Sequence, residues 1–250
     1  YRDSSVLLDV FTAEYGRISL VARGTRRQSR KGSDAALLQP FIPLLLSFSG
    51  RTELKTLVAT EGARGLIALR GERLFSGMYI NELLVRLLHR NDAHPTLFAT
   101  YDQVLKALAG GAEVNTQLRQ FELTLLDELG YSFDLAMDGA SGQPVQAALW
   151  YRYDPGCGLV TCGDTPDRLS SAFSGVDLLT MASGQLGGTV RLAAKRLLRE
   201  ALAVHLGDIP LRSRELFRGP RAKPSPEGMR NPQQTIARRD PPWQSELGDR

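Results

Sequence analysis

The first sixty residues alternate between apolar and polar positions with a period of two, which is typical of β-strands. The pattern predicts two strands at residues 6–11 and 17–22, joined by a hairpin turn at residues 14–16. Two more strands are predicted at residues 44–48 and 53–59. Pro43 before the third strand predicts an edge position or a bulge, because proline donates no backbone hydrogen bond. Four short strands between turns indicate a small barrel.

Near residue 74 the period changes from 2 to 3.6, which indicates helices. Apolar residues then recur on one face of three helical stretches, and the last two are predicted at residues 97–108 and 118–129. Residues 131–165 are predicted to be irregular, with one short strand at residues 148–153. A later helix is predicted to end at Gly207, which is a typical helix stop.

The pattern therefore predicts an α+β protein with a strand-rich domain and a helical domain. We assign residues 1–74 to the barrel and residues 75–218 to the helical domain, with its irregular region at 131–165. Residues 219–250 contain six prolines and few apolar residues, so we expect a flexible tail. Because the chain begins with Tyr1 instead of Met, we expect the natural N-terminus to be missing, and with it a possible fifth strand.

Composition narrows the class of protein. Hydrophobic residues make up 42% of the 250, which is enough to build a sizeable core and excludes a wholly disordered chain. No apolar stretch of about 18 residues is present, so the sequence predicts no transmembrane helix. Two cysteines and the absence of a signal peptide favour a soluble protein of the cytoplasm.

The net charge of +4 is distributed unevenly along the chain. Residues 1–75 carry 12 Lys and Arg against 7 Asp and Glu, whereas residues 76–150 carry 4 against 9. A basic lobe of this size is a candidate binding surface for a polyanion, and a merely solvated basic surface explains the charge equally well.

Motifs for catalysis or metal binding are absent from the sequence. The three histidines, His89, His94 and His205, accompany no G-x-S-x-G motif, and no phosphate-binding loop with its lysine is present. Cys157 and Cys162 form one loose pair without the second pair that a zinc site needs. We therefore expect no enzymatic activity, no metal and no cofactor.

Basic residues concentrate in a loop between two strands of the predicted barrel. Flexible glycine and serine residues separate its cations, so the loop suits a phosphate backbone. Together with cations on neighbouring segments, the loop forms a predicted DNA-binding set: Arg17, Arg23, Arg26, Arg27, Arg30, Lys31, Arg51 and Lys55. The alternative is a basic loop without a ligand.

A second basic stripe lies on the last predicted helix. Arg191, Lys195 and Arg199 are four residues apart, which places them on one helical face, away from the apolar one. We include them in the predicted DNA-binding set, although an ordinary solvated helix face explains the stripe about as well.

Several segments together resemble the bacterial RecO family of recombination mediators. The resemblance rests on the order and spacing of these segments more than on any one of them. They include Arg119-Gln120-Phe121-Glu122-Leu123, Ser213-Arg214-Glu215-Leu216-Phe217 and residues 8–12, 16–24, 38–41, 79–83 and 129–131. The resemblance implies an OB-fold barrel followed by a helical domain. It also implies a non-catalytic protein of the bacterial cytoplasm and nucleoid. Such a protein would bind single- and double-stranded DNA, anneal complementary strands and assist RecA loading together with RecR.

The resemblance bears on a metal site and on a partner site. Many family members carry a four-cysteine zinc site, and here Asp138, Ser141 and Thr165 replace three of the cysteines while Cys162 is retained. This is similar to the branch without zinc. The family also recruits the acidic tail of single-stranded DNA-binding protein. We expect Arg119 to open the third helix and bind that tail, with apolar walls formed by Leu97, Tyr101 and Leu105. The alternative is that Arg119 pairs with Glu122 or Glu113.

Two other functional classes stay open from the sequence. One is a protein-only adaptor, whose helical domain binds partners while the barrel is structural. The other is an enzyme with an unrecognised site, which a cluster of ionisable groups facing a pocket would indicate.

Overall fold

The computed structural model describes residues 5–23, 34–63, 65, 67–164 and 172–217, which belong to one compact unit that ends at Phe217. The predicted flexible tail lies outside the described residues. So do four members of the predicted DNA-binding set: Arg26, Arg27, Arg30 and Lys31.

Four strands near the N-terminus form one sheet, as the alternating pattern predicts. They are β1 (Ser5–Thr12), β2 (Gly16–Arg23), β3 (Leu44–Ser49) and β4 (Leu54–Gly62), with a one-turn helix α1 (Asp34–Leu37) before β3. The order is β1-β2-β4-β3, in which β2 and β4 are parallel and the other neighbours antiparallel. Strand β3 lies at the edge, which confirms the first of the two alternatives predicted from Pro43. Its pairing register with β4 shifts between Ser47 and Phe48. This strand-rich half is consistent with an OB-fold, and the whole chain is α+β.

Helices follow from residue 72 onward, close to the predicted change of period. They are α2 (Glu72–Leu87), α3 (Pro95–Ala109) and α4 (Val114–Glu128), and later α6 (Arg191–Leu206) and the short α7 (Ser213–Leu216). Helix α4 begins four residues earlier than predicted, because the Glu113 side chain caps it by accepting hydrogen bonds from the backbone N–H groups of Asn115 and Thr116. The expectation that Arg119 opens this helix is therefore wrong.

A second, smaller sheet occupies the region predicted to be irregular. Strands β5 (Trp150–Asp154) and β6 (Gly158–Gly163) form a hairpin, and β7 (Phe173–Ser174) pairs with β5 before helix α5 (Gly175–Ala182). Only β5 is close to a predicted strand. The sequence signal for the others is weak because β6 has six residues, β7 has two, and turn residues flank both.

The first sheet and the helical region share a tight contact. The phenyl ring of Phe11 on β1 meets Phe98 and Tyr101 on α3 edge to face, with ring centroids 5.5 and 5.8 Å apart. At Gly16 the backbone runs so close to the Asp92 carbonyl oxygen that an added Cβ would lie 1.6 Å from it. These contacts hold the two parts together. Within the described residues, no helix has the length and hydrophobicity of a membrane span.

Candidate nucleic-acid interface

Helix α6 presents a row of three cations to solvent. Its opposite face is buried through Ala194, Leu197, Leu198, Ala201 and Leu202, which fixes the rotation of the helix. Arg191, Lys195 and Arg199 are all exposed, and at 1.5 Å per residue they form a row ~12 Å long. The structure thus brings the predicted stripe together as one surface.

The cations of this row have no acidic partner. None of the three forms an ion pair within the described residues. Desolvation lowers the pKa of Lys195, the neighbouring charges of Arg199, Arg119 and Arg191 lower it further, and the charge of Glu122 acts in the opposite direction. A row of cations that repel one another favours an external anion, because an anion relieves the repulsion.

Arg196, on the same helix, is held by contacts within the protein. Its guanidinium donates a hydrogen bond to the carbonyl oxygen of Ala172 and lies 4.3 Å above the ring of Phe173. Arg196 therefore belongs to the packing of the second sheet and not to the exposed row.

Arg119 lies beside this row but is buried, with 4% of its surface exposed. It donates a hydrogen bond of 2.6 Å to the Oε1 atom of Glu122, and the hydroxyl of Tyr79 donates a second one of 2.7 Å to the same atom. The pairing of Arg119 with Glu122 that the sequence left open is therefore present. Glu113 instead caps α4.

The buried pair keeps two unused polar atoms. The Nε atom of Arg119 and the Oε2 atom of Glu122 are both buried and have no hydrogen-bond partner. Burial raises the pKa of Glu122, while the charges of Arg119, Arg214 and Arg199 act in the opposite direction. Arg119 thus has an N–H group, at Nε, that its ion pair does not use. The charge of Arg119 also interacts with that of Lys195 in the exposed row.

The predicted apolar walls lie in the packed interior of the helical region. Leu97 and Leu105 have 0% and 2% of their surface exposed. Tyr101 is half-buried against Phe11, and its hydroxyl donates a hydrogen bond of 2.8 Å to Asn81. A ligand would have to uncover Leu97 and Leu105 to reach them, so their role in tail binding stays a prediction.

The structure divides the predicted cations of the first sheet between two ends. Arg51 lies exposed in the turn between β3 and β4, near Lys55, whose ammonium donates to the carbonyl oxygen of Gly50. Arg23 ends β2, ~20 Å along the strand from Arg17, and leads toward the basic loop. The guanidinium of Arg17 is committed to the sheet–helix contact, where it donates to the carbonyl oxygen of Val85.

Asp138, at a position that the resemblance links to the zinc site of family members, is engaged by the backbone. Both carboxylate oxygens of Asp138 accept backbone hydrogen bonds: Oδ1 from Ala140 and Ser141, and Oδ2 from Thr161 on β6. Their lone pairs therefore already stabilise the loop, which lowers the pKa of Asp138. No group of three or more potential metal ligands occurs in the described part of the chain. Thr165 lies outside it.

The structure contains a cavity lined by ionisable groups, one of which is the thiol of Cys157. The surroundings of this thiol disfavour its reactive thiolate form. Cys157 is exposed at the cavity rim, and its pKa is raised by desolvation and by the hydrogen bond to Asp154. His205, the histidine of this cavity, stacks on Tyr131. This arrangement lacks the close nucleophile–base contact that covalent catalysis uses.

Sequence reasoning missed Tyr79 and Arg214 as neighbours of the Arg119–Glu122 pair. The three-residue spacing of Arg119 and Glu122 predicts a helical pair, but only the fold shows that the pair is buried against Tyr79. Arg214 belongs to the segment of residues 213–217 that resembles the family, yet nothing in the sequence places it near α4.

Comparison with known proteins agrees with these observations. Residues 1–65 match the family model "Recombination protein O N terminal", and residues 69–215 match "Recombination protein O C terminal". The proteins from Stutzerimonas stutzeri and Pseudoalteromonas atlantica that carry the name DNA repair protein RecO are 47% and 44% identical to this chain over 220 and 218 residues. These alignments cover 87% of this chain and 88% and 89% of the relatives. A relative of the same name from Pseudomonas aeruginosa is 43% identical over 225 residues, which is 90% of this chain and 92% of that protein. The chain therefore belongs to the RecO family of DNA repair proteins.

Proposed function

We propose that the protein binds single- and double-stranded DNA through phosphate contacts and acts without catalysis. It anneals complementary strands and helps to load RecA together with RecR. The observation that carries the proposal is the exposed row of Arg191, Lys195 and Arg199 on α6, which forms no ion pair with the part of the chain that the structure describes. Such a row neutralises phosphates without reading base edges, so we expect little sequence preference.

The first sheet contributes a second set of phosphate contacts to this proposal. Arg23, Arg51 and Lys55 lie at its two ends, and the basic loop with Arg26, Arg27, Arg30 and Lys31 follows Arg23 in the sequence. Arg17 supports the interface indirectly, because its guanidinium joins the sheet to α2. Two separate sets of cations on one protein would allow it to hold two strands, which annealing requires.

The proposal is tested by measuring the binding of fluorescent single-stranded and duplex oligonucleotides of several sequences to the purified chain. Strand annealing is measured in parallel, without nucleotide. We expect both DNA forms to bind with similar affinity across sequences, and annealing to proceed without ATP. A chain that binds neither form at low salt is instead the protein-only adaptor.

A second proposed function is recruitment through the acidic C-terminal tail of single-stranded DNA-binding protein. This second proposal requires that tail binding uncovers Arg119, whose buried Nε atom is unused among the described residues and whose neighbours Lys195 and Arg199 favour a carboxylate at this place. The expectation is that an Arg119→Lys variant, which keeps the charge opposite Glu122, weakens tail-peptide binding by about 1–3 kcal/mol. Direct DNA binding is expected to be unaffected, and equal peptide affinity in both proteins would place the tail elsewhere.

A further inference from the structure

A cavity of about 370 Å³ lies away from the α6 row, next to the hairpin of β5 and β6. Its walls combine aromatic, acidic and thiol side chains: Tyr131, Phe133, Asp134, Tyr153, Cys157 and His205. This volume is within the range of cavities that enclose a small ligand or a single large side chain.

The aromatic walls are ordered by contacts among themselves. Tyr131 stacks on His205 with ring centroids 3.7 Å apart and an angle of 13° between the planes. Phe133 and Tyr153 pack with centroids 5.0 Å apart. Although it is stacked, Tyr131 still exposes 47% of its surface. An exposed aromatic ring held in place by a second ring is a stacking surface for a flat group.

Carboxylates lie at the cavity, and the charge of Arg152 partly offsets them near the rim formed by Asp154 and Cys157. Asp134 lies in its wall, and Asp154 lies behind the turn that forms its rim. Each uses its Oδ1 atom to accept a backbone N–H, from Ala136 and Gly156 respectively, and neither forms an ion pair within the described residues. Burial lowers the pKa of His205, which disfavours a positive charge on the imidazole.

Two helix ends add to the negative potential of these carboxylates. Helix α4 ends at Glu128, just before the cavity residues Gly130 and Tyr131, and His205 lies in the last turn of α6. The C-terminal end of a helix carries a partial negative charge that favours cations. The cavity is therefore unsuited to a DNA phosphate and suited to a cationic, planar group.

We propose that this cavity receives an arginine side chain of a partner protein. The guanidinium stacks on the exposed ring of Tyr131 while its N–H groups donate to the carboxylate of Asp134. A lysine fits less well, because its ammonium does not stack as a plane and donates to a carboxylate without the paired geometry of guanidinium. The site would give the protein an acidic docking point that is separate from its proposed DNA surface.

The test uses the full chain and two small probes, N-acetyl-arginine amide and its uncharged isostere N-acetyl-citrulline amide. Amide shifts of residues 130–134 and 156–158 are followed by NMR during titration. We expect saturable shifts with the arginine probe and affinity lower by about fivefold or more for citrulline. Equal affinity for both probes, or no saturable shift with arginine, would overturn the proposal.

Two variants test the carboxylate of Asp134 and the ring of Tyr131 separately. Asp134→Asn and Tyr131→Ala should each reduce the affinity for the arginine probe by about fivefold or more. Asp208 is an exposed carboxylate outside the cavity lining, so Asp208→Asn should leave this affinity unchanged. Folding of each variant is checked by its thermal midpoint. If a single-stranded oligonucleotide shifts the same amides in the wild type, the cavity is part of the DNA surface and the proposal is wrong. This outcome is independent of whether the α6 row binds DNA.

Discussion

The Nη2 atom of Arg119 lies 2.6 Å from the Oε1 atom of Glu122, and both side chains are almost fully buried on α4. Tyr79 on α2 donates to the same carboxylate oxygen, so the pair also joins two helices. Because neither charge has access to water, each depends on the other for compensation.

We expect Arg119→Met to reduce the free energy of unfolding by about 3–5 kcal/mol, since it leaves the carboxylate of Glu122 buried without its cation. Urea unfolding measures this loss. The double variant Arg119→Met with Glu122→Gln should recover most of it, because the amide is uncharged and still accepts from Tyr79. A double variant that is no more stable than the single one would show that the pair does not act as a unit.

The carboxylate of Asp138 predicts a pH-dependent contribution to stability. Three backbone N–H groups bind its two oxygens and lower its pKa, so the ionised form is favoured in the folded protein. This stability is therefore present above the pKa of an unfolded aspartate, about 3.9, and is lost as pH falls below it.

Asp138→Asn should lower the free energy of unfolding by about 1–3 kcal/mol at neutral pH, and the difference from wild type should shrink in acid. Urea unfolding at several pH values measures both effects. Asp164→Asn, at an exposed position, serves as the control. A difference that stays constant down to the lowest pH would contradict the assignment.

The crowding of Lys195 predicts how DNA binding responds to alkaline pH. Its lowered pKa means that this lysine loses its charge at a lower pH than an ordinary lysine does. DNA affinity of the wild type should therefore fall at alkaline pH values below the pKa of an ordinary lysine, about 10.4.

A Lys195→Arg variant should keep its affinity over the same pH range, because arginine stays protonated. Fluorescence anisotropy with a labelled oligonucleotide measures the profile. Lys106→Arg is the matched control, since Lys106 lies on α3, is exposed and pairs with Asp102 of the same helix. Identical profiles for the wild type and Lys195→Arg would exclude Lys195 from the interface.

Much of this architecture follows from local patterns in the sequence. The period-two strands of residues 5–23 and 44–62, the long helices and the stop at Gly207 are all predicted, because apolar spacing and turn residues agree there. Strands β6 and β7 are missed because short strands flanked by turn residues carry little periodic signal, whereas β5 is close to the strand predicted at residues 148–153.

The candidate site is only partly predictable for a different reason. The α6 row is visible as i, i+4 spacing, since all three cations belong to one helix. The burial of Arg119 against Tyr79 depends on how α2 and α4 pack, and the commitment of Arg17 to Val85 depends on the sheet–helix contact. Contacts between distant segments leave no trace in local spacing.

The central claim is that the α6 row binds DNA phosphates, and the salt dependence of binding tests it most directly. We expect replacement of Arg191, Lys195 and Arg199 by glutamine to reduce the slope of log affinity against log salt by about 2.1–2.7, which is 0.7–0.9 for each lost contact. A control with Arg90→Gln and Lys106→Gln removes two exposed charges that already have acidic partners and should leave the slope unchanged. Replacing Arg26, Arg27, Arg30 and Lys31 by glutamine measures the contribution of the basic loop in the same way. A folded triple variant with the wild-type slope would contradict the account.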